Sequence, residues 1–323
     1  MDWKRLFDSL GLNGTRWQWR ILRWQSQWKE ARSNLWGKNQ HVSYPHKFCR
    51  NCGALLDRNA SVCLQCEGKV ESWRRQSLTR AIGLVMPSAS ISTPVLIVIN
   101  IGIMIMMMLR YGGQFAFTQN PEEMRLMGCL VPALYQAGEQ WRLITYGYLH
   151  YGLLHIGFNM LALSQVGPML ENEVGSARFF TVYTLTLVAG GAADLLIRTN
   201  PFIHVAGASG ALFGLIGFGI TYCHFSAGYL KDHFRGFFIK WGIYGFVFGY
   251  AIGADNIAHG GGFLAGAILG VLIERERRQP ERLAVLWQVL AMLCLAATVG
   301  AFVWMLKEGG GQTLEALPLQ AVL

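Results

Sequence analysis

The chain has 323 residues, of which 52% are hydrophobic and only 15% charged, a balance that points to lipid and away from an ordinary soluble core. Its formal net charge is +9, yet fifteen of the 28 Lys and Arg residues precede residue 94, and Arg275, Arg277, Arg278 and Arg282 follow an apolar run. Basic residues so placed read as cytoplasmic flanks of membrane spans, which argues against a nucleic-acid partner.

The first residues are polar, with no short apolar core of the signal-peptide kind. The first span is therefore expected to act as its own insertion signal and to leave residues 1–93 in the cytosol. Within 1–40, Trp17, Ile21, Trp24 and Trp28 recur at helical spacing between Arg16, Arg20 and Arg23. This predicts an amphipathic arm that lies on the membrane interface, docks on a partner or packs on the next module. Residues 41–70 carry Cys49-x2-Cys52, ten residues, then Cys63-x2-Cys66. Two such pairs supply four thiolates to a tetrahedral structural zinc, and a cytosolic location disfavours disulfides. Gly53 suits the turn after the first pair, and His41 and His46 are spare ligands. The segment is too short for a sizeable core, so the metal would hold a zinc-ribbon-like fold with an unidentified protein partner. Residues 71–93 read as a linker.

From Pro94 onward apolar runs alternate with short polar ones. Pro94–Leu109, broken only by Asn100, reaches with its flanks the ~20 residues needed to cross a bilayer. A mixed segment follows from Tyr111 to Trp141, then runs near 150–169, 177–197, 207–225, 237–253, 258–273 and 284–306. Seven helices are expected, and the runs lack the alternation of a closed barrel. With residues 1–93 inside, the loops near 171–178, 226–236 and 274–283 also fall inside, carrying Arg178, then Lys231 and Arg235, then the Arg275–Arg282 cluster. Arg125, Arg142 and Arg198 are the exceptions outside, and the tail from Lys307 lies outside. The expected fold is an all-α polytopic membrane protein: a six-helix core over 94–275, a seventh helix and tail over 276–323, and the small zinc module.

Gly210, Gly214 and Gly217 share one span, and Gly262, Gly266 and Gly270 another. Small residues about four apart form strips that let helix backbones approach closely. Polar groups inside spans are expensive and are functional candidates by default. They are His150, His155 and Asn159 in the second span; Asp194 in the third; Gly207-Ala208-Ser209-Gly210 opening the fourth; and Asp255-Asn256-Ile257-Ala258-His259 opening the sixth. His155 and Asn159 lie on one helix face. Ser209 and His259 head the two Gly-striped helices, so His259 could accept the Ser209 proton. Asp194, four residues before Arg198, reads as a helix-end ion pair. Cys129, Cys223 and Cys294 read as buried small hydrophobes.

Trp141-Arg142, then His150, His155 and Asn159, then Gly207-Ala208-Ser209-Gly210, then Ala258-His259 with Gly262 and Gly266 together resemble the rhomboid family of intramembrane serine proteases. The resemblance covers roughly 94–275; the zinc module and the seventh span are additions that only some relatives carry. It implies an endopeptidase that cleaves transmembrane helices within the lipid bilayer, with Ser209 as nucleophile and His259 as base. The backbone N–H of Ser209 with His155 and Asn159 would hold the oxyanion, and no cofactor is needed for catalysis. It further implies that Phe213 packs on the catalytic His, that Gly207 leaves room for substrate, that His150 shapes the cavity and that Arg142 anchors the long outer loop. The fifth span, with Trp241, Tyr244, Phe246 and Phe248, resembles the family's lateral gate, although its aromatic bulk could be mere lipid contact.

His-Glu-x-x-His is absent from the sequence, which disfavours a metalloprotease. Asp194 and Asp255 are poor candidates for an aspartic pair, and no inverted repeat suggests a transporter. The alternative is a catalytically inactive rhomboid-like factor that binds membrane proteins. The expected location is a bacterial plasma membrane with the N-terminus cytoplasmic.

Overall fold

In the computed structural model the described residues are 46–48, 55–57, 60–67, 70, 91–117, 120–226, 230–251, 254–276 and 283–308. The Trp-Arg arm, His41, Cys49, Cys52, Gly53, the linker up to residue 90, and Arg277, Arg278 and Arg282 lie outside them. Contacts divide the chain into two units, Met1–Gln76 and Ser77–Leu323.

In the smaller unit β1 (His46–Phe48) pairs antiparallel with β2 (Leu55–Asp57), His46 opposite Asp57 and Phe48 opposite Leu55. The connection, 49–54, is where the first cysteine pair falls. After β2 the chain turns at Cys63–Cys66, where the Glu67 N–H donates to the Cys63 carbonyl at 2.8 Å and the Val70 N–H to that of Ser61 at 2.9 Å. Cys63 and Leu56 are buried, with Ala60, Cys66 and Val70 packed around them.

The larger unit is helical. α1 (Ser92–Tyr111) buries Thr93, Leu96, Asn100, Met104 and Met107, one stripe at three- and four-residue spacing. The opposite face exposes Val95, Val98, Ile99, Ile105 and Leu109, as a lipid-facing surface does. A long connection follows, with 3-10 turns at Gly113–Ala116 and Tyr146–Tyr148 flanking three short helices: α2 (Pro121–Leu126), α3 (Pro132–Gln136) and α4 (Arg142–Thr145). Proline at the first helical position starts α2 and α3, and the Asn120 side chain caps α2 by accepting from the Glu122 N–H. Then come α5 (Gly152–Val174), α6 (Ser176–Ile197), α7 (Ser209–Phe225), α8 (Leu230–Ala251), α9 (Asn256–Glu276) and α10 (Ala284–Lys307).

Among the described residues five helices, α1, α5, α6, α9 and α10, are long and apolar enough to cross a membrane, and the unit is that of a multi-pass membrane protein. The apolar runs of the sequence predict seven. The two that fall short by this measure are α7, apolar but only 17 residues long, and α8, which carries Lys231, Asp232, Arg235 and Lys240. α8 also begins seven residues before the expected run, because the helix continues back through its polar start. His150 was expected to open a span; α5 begins at Gly152, so His150 stands in the connection before it.

α7 is the axis of the unit. It is buried on nearly every side and packs against α5, α6, α8 and α9. The two glycine strips are its seam with α9. A Cβ on Gly262 would strike the Gly210 carbonyl, one on Gly266 the Gly214 carbonyl, and one on Gly217 the Phe263 carbonyl. At such separation a hydroxyl can cross between helices, and Thr221 donates to the Ala267 carbonyl at 2.8 Å. Elsewhere Glu171 of α5, 1% exposed, accepts from the Ser92 and Thr93 amides at 2.7 and 2.9 Å and from the Thr93 and Ser176 hydroxyls at 2.7 and 2.5 Å. One carboxylate thus satisfies orphan donors at the start of α1 and ties α5, α1 and α6 together. α10 is held at one end by the Trp287 indole N–H donating to Glu276 at 2.6 Å, Glu276 also pairing with Arg178 at 2.5 Å. At its other end Ala301 and Met305 pack on Trp141.

Candidate active site

Ser209 is the first residue of α7, so its N–H is one of the donors that a helix start leaves without an internal partner. It is reached through Gly207, whose φ of +134 admits only glycine comfortably. The Gly207 N–H donates to the Tyr146 carbonyl at 3.0 Å, and the Ala208 N–H approaches His150 Nε2 at 3.4 Å. The residues before Ser209 therefore hang from the segment that precedes α5.

His259 lies one turn into α9 and is 4% exposed. The glycine seam brings it to α7, with Nε2 2.8 Å from Ser209 Oγ. Phe213, one turn below Ser209, stacks on the imidazole at 4.3 Å and 24°. Phe246 of α8 packs in turn on Phe213 at 4.4 Å, and Phe248 meets Phe158 of α5 at 5.1 Å. Of the other α8 aromatics, Tyr244 is exposed, Trp241 lies against Phe237, and Phe238 is buried against Gly219 of α7.

His155 Nδ1 accepts from the Tyr151 N–H at 3.2 Å, so a neutral ring carries its proton on Nε2. A Cβ on Gly207 would lie 2.9 Å from that Nε2 and 3.6 Å from Ser209 Oγ; the two polar atoms border one space that glycine leaves open. Asn159, a turn deeper and buried, gives an amide hydrogen to the His155 carbonyl at 2.9 Å. His150 is buried with its ring edge-on to His155 at 5.1 Å.

Arg142 is fully buried and donates to Glu139 at 2.7 Å and to the carbonyls of Arg125 and Cys129 at 2.9 and 2.7 Å. Burial pulls the guanidinium below its ordinary value while the Glu139 carboxylate opposes that shift. One side chain so pins the start of α4 to the loop after α2. Cys129, Cys223 and Cys294 are buried, as expected, and burial pushes the Cys129 thiol up to about 12, which removes it as a nucleophile.

Several partners were not anticipated. Asn256 Oδ1 lies 3.0 Å from His259 Nδ1; it sits three residues earlier on the same helix, a spacing visible in the sequence. Asp255 caps α9, accepting from the Ile257 and Ala258 amides at 3.1 and 3.2 Å. The Asp194–Arg198 pair is present at 2.7 Å, and Arg198 also reaches Asp255 at 2.5 Å, locking the end of α6 to the start of α9. Glu139 stands three residues before Arg142. Among the described residues no group of three or more His, Cys, Asp or Glu is placed to hold a metal. Cys63 and Cys66 lie in one turn, closed by the Glu67 N–H to the Cys63 carbonyl.

Comparison with known proteins gives a consistent picture. Residues 137–276 match the family model of the Rhomboid domain. RHOMBOID-like protein 5 of Arabidopsis thaliana is 34% identical over 152 residues, 46% of this chain and 49% of that protein. Rhomboid protease GluP of Bacillus subtilis is 40% identical over 98 residues, 30% of this chain and 19% of that protein. Rhomboid protease GlpG of Photorhabdus laumondii is 28% identical over 142 residues, 43% of this chain and 49% of that protein. The chain thus spans about half or less of the length of these curated relatives. Over residues 137–276 the chain is thus similar to rhomboid proteins of plants and of bacteria.

Proposed function

We propose that this rhomboid-like chain is an intramembrane serine endopeptidase that cleaves transmembrane helices with a Ser209–His259 dyad. The observation that carries the reading is the 2.8 Å approach of His259 Nε2 to Ser209 Oγ, with the imidazole held against Phe213. A hydroxyl is a weak nucleophile until a positioned base takes its proton. Ser209 Oγ attacks the scissile carbonyl as its proton passes to His259 Nε2. The oxyanion forms beside the Ser209 N–H, with His155 Nε2–H and the Asn159 amide as side-chain donors and the α7 dipole favouring the charge. His259 then protonates the departing amine, and water, activated by the same imidazole, hydrolyses the acyl-enzyme. Substrates are helices whose ends unwind, because a backbone inside an intact helix is hydrogen-bonded and shielded.

In this reading α1 and α5–α9 form the six-helix core, α10 is a seventh span, Arg142 anchors the outer loop, and His150 and Gly207 shape the space around the nucleophile. The N-terminal arm is cytoplasmic and the membrane a bacterial plasma membrane. A serine-reactive phosphonate should label the purified protein, and Ser209→Ala should remove the label. Failure of the wild-type protein to label would favour a non-proteolytic membrane-protein-binding role.

We also propose that Cys63 and Cys66, with Cys49 and Cys52, hold one structural zinc. The turn that joins Cys63 to Cys66 supports this for the described half of the set. Elemental analysis of the full chain should find one zinc per molecule, lost on changing Cys63 and Cys66 to Ser; a metal-free preparation that keeps its fold would remove the proposal.

A further inference from the structure

We propose that Asn256 is a positioning residue for His259, fixing the tautomer and the angle of the imidazole through which Ser209 is activated. This inference rests on the endopeptidase reading above. Among the described residues the side chain of Asn256 hydrogen-bonds the ring: Oδ1 is 3.0 Å from Nδ1. A carbonyl oxygen only accepts, so Nδ1 carries the hydrogen and the Nε2 lone pair is left for the Ser209 hydroxyl at 2.8 Å. The opposite tautomer would turn an N–H toward Ser209 and could not take its proton.

A helix-capping role for Asn256 is already filled by its neighbour. Asp255 accepts from the Ile257 and Ala258 amides and is itself held by Arg198, which leaves the Asn256 amide available to the ring. The two residues lie three apart on α9, so the helix itself sets their separation. The last turn of α8 closes over them: a Cβ on Gly249 would stand 3.2 Å from Asn256 Oδ1 and 3.4 Å from His259 Cε1. Phe213 holds the ring face while Asn256 holds its edge. A stacking contact allows rotation in the ring plane, and a directional hydrogen bond to Nδ1 does not.

The test compares Asn256→Leu, which keeps the volume and removes the acceptor, with Asn256→Asp, which keeps the acceptor. Full-length protein in detergent is assayed for the rate of phosphonate acylation at Ser209, for kcat and KM on a model transmembrane substrate, and for thermal midpoint. Asn256→Leu should lower acylation and kcat by about 10²-fold or more, the scale of a misdirected general base. KM should stay within about twofold, since substrate binding energy is not what the bond supplies. Asn256→Asp should recover most of the rate. Wild-type acylation by Asn256→Leu would overturn the proposal, as would an Asn256→Asp defect equal to that of Asn256→Leu. A wild-type protein that does not acylate at all would instead remove the endopeptidase reading.

Discussion

Ser209→Ala and His259→Ala should each cut turnover of a model transmembrane substrate by at least about 10⁴-fold, the scale on which linked nucleophile and base fail together. The double variant should be little worse than either single one, because in the proposed mechanism the two groups perform one proton transfer. Both should fold. Ser209 is partly exposed, and its described side-chain contact is with His259, so losing one hydroxyl leaves little unsatisfied. Removing the imidazole leaves a gap beside Phe213 but touches neither the glycine seam nor the α9 cap. Turnover in gel-based cleavage assays, read beside thermal midpoints, checks the pair. Substantial cleavage by either variant would remove the assigned roles.

The second large effect is structural. Gly266→Val should destroy both stability and labelling, because its Cβ would overlap the Gly214 carbonyl, and main chain on both sides leaves no side chain to move aside. Overpacking a close-packed interior typically costs about 1–3 kcal/mol and occasionally more, and an overlap with main chain belongs at the upper end. The separation forced here would also carry His259 away from Ser209. Gly102→Ala, on the outer face of α1 with nothing within 4 Å of the added atom, should leave labelling unchanged. Thermal midpoints and phosphonate labelling of the two variants check the contrast; a Gly266→Val protein that labels like wild type would show that the seam tolerates widening.

Much of the helical architecture could be read from the chain because lipid imposes one simple rule on composition. Long apolar runs end where α1, α6, α9 and α10 end, to within a few residues. The rule fails where a helix is amphiphilic along its length: the polar start of α8, from Leu230 to Arg235, is as helical as its apolar remainder, and hydropathy sees only the latter. It fails too in the connection from Gly112 to Tyr151, where short helices are set by local signals, Asn120-Pro121 and Val131-Pro132, that an apolar average conceals. The approach of α7 to α9 was legible as two glycine strips, and with it the meeting of Ser209 and His259. Asn256 and Glu139 were legible in principle, each three residues before its partner on the same stretch of chain, but a spacing of three alone does not say that two side chains meet. The role of Glu171 was largely illegible: apart from the nearby Ser176 hydroxyl, its donors come from Ser92 and Thr93, 79 and 78 residues away, and only the folded packing of α5 beside α1 brings them together.

The shortness of α7 has its own consequence. Seventeen residues rise about 26 Å at 1.5 Å each, some Å less than the ~30 Å of hydrocarbon to be crossed. The strand of chain that leads down to it keeps its main-chain groups partnered on the way, with Ala133 N–H to Pro201 and Leu130 and Val205 exchanging both bonds at 2.9 Å. If the proposed endopeptidase function holds, a peptide bond would have to enter the lipid layer before it met the hydroxyl, and immersion, as much as the residues flanking the bond, would select where a helix is cut.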